Sequence, residues 1–121
     1  MAINNPPLAG ITQSQGFYSF QAVIDDDSVE IVEFKGTSGH AFVSNNSSTH
    51  RGGCAWVRGS SAFKEWGAGT FESFNGPLTG TTGTDGNTTI GMNAGLLYLE
   101  NRTGATKTYT VTLLTDNISV E

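Results

Sequence analysis

Few side chains in this 121-residue sequence could do covalent or metal chemistry. The imidazoles are His40 and His50, the thiol is Cys54, and Glu65 and Glu72 are carboxylates that lie near aromatic residues. A nucleophilic hydrolase needs a base within reach of an activated hydroxyl or thiol, together with an oxyanion site. No Gly-x-Ser-x-Gly turn is present to build one. A zinc centre needs three or four N/S ligands at close spacing, which two separated histidines and one cysteine do not offer. Glu65 and Glu72 could act as the acid and base of a glycoside hydrolase. Their closeness in sequence is the only support, and two solvated surface carboxylates are the simpler expectation. Asp25-Asp26-Asp27 lacks the alternating ligands and terminal glutamate of a calcium loop, so it reads as a solvated acidic turn. The sequence thus leads to an expectation of no enzyme activity, no metal and no cofactor. Cys54 sits in an apolar run and reads as a small buried residue. Being the only cysteine, it leaves no intrachain disulfide to form.

The aromatic residues are the other place where binding chemistry could sit. Trp56, Phe63, Trp66 and Phe71 fall in one central region. Exposed, they would make a platform for sugar rings. The expectation is that they fill the core, because aromatic side chains dominate small β cores.

These residues must be positioned by strands. The segment 95–114 shows this best. Tyr109, Val111 and Leu113 alternate with Thr108, Thr110 and Thr112, a period of two that belongs to a half-buried strand. Threonine is β-branched and suits the solvent face of such a strand. Residues 96–101 are apolar on both faces at their start, which predicts neighbours on two sides. Between the two lies the polar turn 102–106, either a hairpin or a corner between sheets. Further strands are predicted over 16–24, 29–35, 40–45, 54–59, 70–75 and 88–92, with 62–66 either a strand or one helical turn. Gly, Asn, Asp and Ser turns join them and no amphipathic helix interrupts. About eight evenly spaced strands point to an all-β, two-sheet antiparallel sandwich, with a jelly roll as the leading arrangement and another Greek-key sandwich as the alternative. The chain is long enough for one such domain, assigned to 14–121, preceded by an extended arm over 1–13.

The formal charge is −5, and the six basic residues are scattered singly, so nucleic acid is not an expected partner. No apolar run approaches the roughly 20 residues of a membrane span. The N-terminal residues lack the basic start and apolar core of a signal peptide, so a soluble protein made in the cytoplasm is expected.

The runs Gly76-Pro77-Leu78-Thr79-Gly80-Thr81-Thr82-Gly83, Leu97-Tyr98-Leu99-Glu100-Asn101-Arg102-Thr103-Gly104 and Lys107-Thr108-Tyr109-Thr110-Val111-Thr112-Leu113 resemble small jelly-roll proteins of tailed bacteriophage virions. In that group a Glu-Asn-Arg-x-Gly turn precedes a final Thr-alternating strand. The resemblance covers about residues 54–114 and carries no catalytic residues. It implies a trimeric virion component: a capsid decoration (cement) protein bound to the major capsid protein, or a tail-fibre tip recognising a host surface glycan. A carbohydrate-binding or interaction module outside viruses is the further alternative. A short arm without heptads favours decoration of a shell.

Binding residues follow from that reading. The arm residues Ile3, Pro6, Pro7, Leu8 and Ile11 are expected to dock on the shell or an adjacent subunit, since a stiff extended segment loses little entropy on docking. Loss of residues 2–10 should weaken attachment while the sandwich still folds. The loops carrying Asn45, Asn46, His50, Arg51, Asp85 and Asn87 are expected to face outward, toward a receptor or neighbouring capsomers. A homotrimer is expected because the two-sided apolar strand 96–99 and the aromatic centre exceed what one small sandwich must bury.

Overall fold

The computed structural model describes residues 16–34, 37–47 and 51–115. These form nine strands and no helix: β1 (Phe17–Ile24), β2 (Ser28–Glu33), β3 (Ser38–Asn45), β4 (Gly53–Arg58), β5 (Ser61–Gly67), β6 (Phe71–Asn75), β7 (Thr88–Asn93), β8 (Leu96–Asn101) and β9 (Lys107–Thr115). Two sheets pack face to face as a sandwich. The five-stranded sheet has the order β1-β9-β3-β4-β5, and the four-stranded sheet β2-β8-β7-β6. All neighbours are antiparallel except β6 and β7, which run parallel.

The register of β9 is the one its sequence predicts. Tyr109, Val111 and Leu113 are fully buried, while Thr108, Thr110 and Thr112 lie half-exposed on the opposite face. Ala22 and Ile24 of β1, Ala41 and Val43 of β3, and Ala55 and Val57 of β4 join them from the same sheet. Phe71, Ile90, Met92, Leu97 and Leu99 face them from the other. A buried phenol needs a partner, and the Tyr109 hydroxyl finds one across the core in Thr88 Oγ1 at 2.7 Å.

The turn 102–106 is a corner, since it leaves β8 in one sheet and enters β9 in the other. The turn after β1 is its counterpart, linking β1 to β2. The pairs β1/β9 and β2/β8 therefore wrap around the core as the outer strands of a jelly roll do. Inside them the chain differs from a simple roll. Strands β3, β4 and β5 form a meander, and β5 is a full strand rather than a helical turn. Between β7 and β8, Ala94 and Gly95 both take positive φ (50° and 81°), the primed turn that suits a two-residue hairpin.

A parallel pair needs a crossover, and residues 76–87 supply it. This strap lies on the outer face of the four-stranded sheet. Leu78 is buried there against Gly91, where a Cβ would come within 3.0 Å of Leu78 Cδ1 and of the Gly76 carbonyl oxygen. Tyr98, which faces Gly91 across the ladder, and Glu100 are buried on that same face. The two-sided burial of residues 97–99 is thus supplied by the chain's own strap, so it does not by itself argue for a second subunit, while Leu96 stays 36% exposed. At the other side, two amides of edge strand β5 are closed by β6 side chains: Ala62 N donates to Asn75 Oδ1 (2.9 Å) and Lys64 N to Ser73 Oγ (2.9 Å). Capping an edge in this way blocks further strand pairing there.

Candidate functional site: a locked polar end and an aromatic face

The polar residues singled out in sequence are largely used up in holding loops. Each of the three adjacent aspartates meets the corner 102–106. Asp25 Oδ1 accepts from Thr106 Oγ1 (3.0 Å), Asp26 Oδ1 from Gly104 N (2.8 Å) and Asp27 Oδ1 from Arg102 Nε (2.9 Å). The turn is exposed, as expected, and is also bonded to its neighbour. No cluster of potential metal ligands exists among the described residues.

The Glu100-Asn101-Arg102-Thr103-Gly104 run organises this end. Buried Asn101 donates from Nδ2 to the carbonyls of Ile24 and Ala105 (both 2.7 Å), and its Oδ1 accepts from Thr103 N (2.9 Å). Arg102 also donates from Nη1 to Gly83 O (2.9 Å), and its Nη2 lies 3.6 Å from Asp85 Oδ1. Three loops are tied through one guanidinium, whose fixed fork suits such a task. Gly104 takes φ 97°, which the corner requires.

Glu100 and Glu72 fasten the strap. The buried Glu100 carboxylate accepts from the amides of Gly80 (2.7 Å), Thr82 (3.0 Å) and Gly83 (2.7 Å). Glu72 accepts from Thr84 N (2.7 Å), Thr84 Oγ1 (3.0 Å), Thr89 Oγ1 (2.8 Å) and Asn87 Nδ2 (3.2 Å). Partial burial pushes the Glu72 carboxyl up, but these bonds from Thr84, Thr89 and Asn87 outweigh it and hold it below the ordinary value of 4.5. A carboxyl lowered on folding contributes stability that is present above its unfolded value and lost as pH falls through its folded value. The strap is therefore expected to loosen under acid, below the pH at which an ordinary glutamate protonates. Amide exchange at Thr84 should accelerate there in the native protein and much less in Glu72→Gln. Glu65 has a different partner: its Oε1 lies 3.1 Å from His40 Nε2, on the five-stranded sheet. Glu65 and Glu72 thus bond into separate networks on separate sheets.

The aromatic residues divide between core and surface. Phe71 is buried in the core, as expected, whereas Phe63 and Trp66 are 65% and 59% exposed. The cause is a β-bulge. Trp56 pairs with Phe63 and Ala55 with Lys64, but Cys54 pairs with Trp66, leaving Glu65 as an extra residue in β5. Strict alternation would put Phe63 and Trp66 on opposite faces. The extra residue puts both on the outer face of the five-stranded sheet.

On that face Phe42, Cys54 and Trp66 form one cross-strand row, with the Phe42 and Trp66 ring centroids 6.5 Å apart. His40, Trp56 and Phe63 form the next, and the Arg58 guanidinium lies 5.3 Å from the centre of the Trp56 ring. Cys54 is buried between its aromatic neighbours. Burial, and secondarily the Glu65 carboxylate, push its thiol up, which disfavours the reactive thiolate. Beside Trp66 a groove of about 410 Å³ is lined by Arg51, Gly52, Gly67 and Ala68.

Of the remaining sequence-predicted binding residues, Arg51 lines this groove and is exposed. Asn45 shapes its own turn, and Asn46 ties that turn to β9. Asn45 Oδ1 accepts from Ser47 N (2.8 Å), and Asn46 Oδ1 from Thr108 N (3.3 Å). Asp85 is exposed at the locked end, whereas Asn87 belongs to the Glu72 network. His50 and the arm residues Ile3, Pro6, Pro7, Leu8 and Ile11 lie outside the described residues. No family model, no curated protein and no solved structure matches this chain.

Proposed function

We propose that this chain is a non-enzymatic structural protein of a bacteriophage virion, a capsid decoration protein that binds the major capsid protein. The observation that carries this reading is the aromatic outer face of the five-stranded sheet. It is a largely apolar surface on which Phe63 and Trp66 are exposed and Phe42 and Trp56 half-buried, with the His40–Glu65 ion pair set among them. Exposed aromatic clusters on a stiff scaffold favour association, and aromatic side chains are the commonest anchors of protein interfaces. The locked end supports the same reading. Carboxylates that might have done chemistry instead immobilise loops, which suits a protein whose task is to hold shape under load.

A homotrimer, as the resemblance implies, would present this face three times, and repeated weak contacts on a symmetric shell sum to strong attachment. The test is co-sedimentation with heads of the encoding phage stripped of the protein, alongside light scattering of the free protein. Saturable binding to heads supports decoration, and a lack of head binding at any concentration overturns it. The groove beside Trp66 favours a second reading, a fibre tip that stacks a sugar ring on the indole next to the Arg51 guanidinium. Binding to host-surface glycans in place of heads would select it.

A further inference from the structure

We infer that the free edge of β1 pairs with the β1 edge of a second copy of this chain, antiparallel and across a twofold axis at Phe20, so that two five-stranded sheets become one. β1 is an edge strand, and among the described residues no strand lies on its outer side. Natural sheets blunt such edges with charge, proline, bulges or a cover. The other edges here are blunted. β5 carries the bulge and closes on β6 through Asn75 and Ser73, and β2 carries Glu30 and Glu33 just after Asp25-Asp26-Asp27. β1 reads Phe-Tyr-Ser-Phe-Gln-Ala-Val-Ile, with no charge, no proline and no glycine. Its pairing with β9 runs unbroken from Phe17 to Ile24, so no bulge turns it aside.

The ladder shows which main-chain groups are free. Thr115 N donates to Gly16 O (2.9 Å), in the same register as the rest of the β1/β9 pairing. Bonded pairs alternate along an antiparallel ladder, so the even-numbered residues of β1 direct their N–H and C=O groups to β9. Phe17, Ser19, Gln21 and Val23 turn theirs to the open side. Their polar side chains leave that side clear. Ser19 Oγ donates to Val111 O (3.2 Å) and Gln21 Nε2 to Thr110 Oγ1 (3.3 Å), both leaning back over β9.

A second copy fits this edge because the strand is complementary to itself. A sheet continued across a twofold axis is an isologous contact that sets odd-numbered residues against odd-numbered ones. With the axis at Phe20, Ser19 meets Gln21 of the second copy and Phe17 meets its Val23. The odd-numbered residues of both strands then exchange about eight main-chain hydrogen bonds. Phe17 and Val23 are the exposed large apolar residues of β1, at 54% and 67%, and this register packs each against the other at both ends of the pair. An axis at Gln21 would instead set Val23 against Ser19 and Phe17 against Asp25.

Such an axis stands perpendicular to the sheet, so the two aromatic outer faces look the same way. The pairing goes beyond the attachment reading by setting two attachment faces side by side, which multiplies weak binding. It uses the β1 edge alone and holds whether or not copies also assemble in threes.

Cysteines read the register in the full-length chain. Ser19→Cys and Gln21→Cys proteins are oxidised separately and as a mixture, while the native Cys54 is buried. Opposite residues of a bonded pair have Cα atoms about 5.5 Å apart, within disulfide reach. A disulfide-linked pair of chains is expected from the mixture and not from either protein alone. Linking within one variant would set a different register, and no linking in the mixture would leave the edge unpaired; either result overturns the inference. Light scattering of the parent beside Gln21→Pro is the second measurement. The Gln21 N–H points away from β9, so proline there removes no ladder bond of the fold while it blocks the edge. The mass of the particle should halve, with an unchanged far-ultraviolet dichroism spectrum. An unchanged mass in the folded variant would overturn the pairing. If proline harms folding, Val23→Lys on the same exposed face takes its place, with the same expected and contradicting results.

Discussion

Replacing Glu100 with alanine is expected to be among the most damaging single changes in this chain, costing about 3–5 kcal/mol of folding stability. The side chain is fully buried and accepts three backbone amides of the strap, those of Gly80, Thr82 and Gly83. Removing it takes the acceptor from three donors, the buried Gly80 amide among them, and it opens a void beneath the strap. Gly83→Ala attacks the same anchor from the other side. A Cβ there would collide with Thr89 Oγ1 and crowd the Glu100 and Glu72 carboxylates. Denaturant unfolding of Glu100→Ala, Gly83→Ala and the double variant measures both effects. Because the two changes break one network, their costs should sum to more than the double variant loses. A Glu100→Ala protein as stable as the parent would refute the anchoring role.

Val111→Asp is expected to cost at least as much, and to leave little folded protein. Val111 is fully buried in the middle of β9, opposite Phe20 on one side and Val43 on the other. A carboxylate there faces an apolar core with no partner, a change among the few mechanisms that exceed about 4 kcal/mol. Thr112→Asp, one residue along and on the outer face, is the control and should be tolerated. Dichroism and thermal unfolding separate the two. If the tolerances were reversed, the register of β9 would be wrong by one residue.

That register was legible because threonine and large apolar residues alternate over 108–113, and a period of two has one reading. The turn at Asn93-Ala94-Gly95 was half-legible: a break was evident, its primed geometry was not. The role of Glu100 was hidden for a physical reason. Its partners lie 17 to 20 residues earlier in sequence, and no local pattern says that a strap will fold back over its strand. Asp25, Asp26 and Asp27 read as a solvated turn, but their bonds were hidden because the donors lie 75 to 81 residues away, across the corner between sheets. The candidate binding face was misread for a different cause. Phe63 and Trp66 obey no single alternation, and only the bulge at Glu65 brings both to the surface. A lysine and a glutamate between two aromatic residues were the one available signal, since Lys64-Glu65 makes a fully buried strand costly.

The division of labour that emerges is between an end that is locked and a face that is open. Arg102, Asn101 and Glu100 hold the 25–27 turn, the corner 102–106 and the strap in one geometry, so the five-stranded sheet is presented on a stiff body. The binding energy then rests on a small aromatic set, and its removal need not disturb the core, because Phe63 and Trp66 are largely exposed. The most direct measurement is the occupancy of stripped heads by the double variant Phe63→Ser/Trp66→Ser beside the parent protein, after matched thermal unfolding has shown both to be folded. A marked loss of bound copies per head in the variant is predicted. Equal occupancy would contradict attachment through the aromatic face.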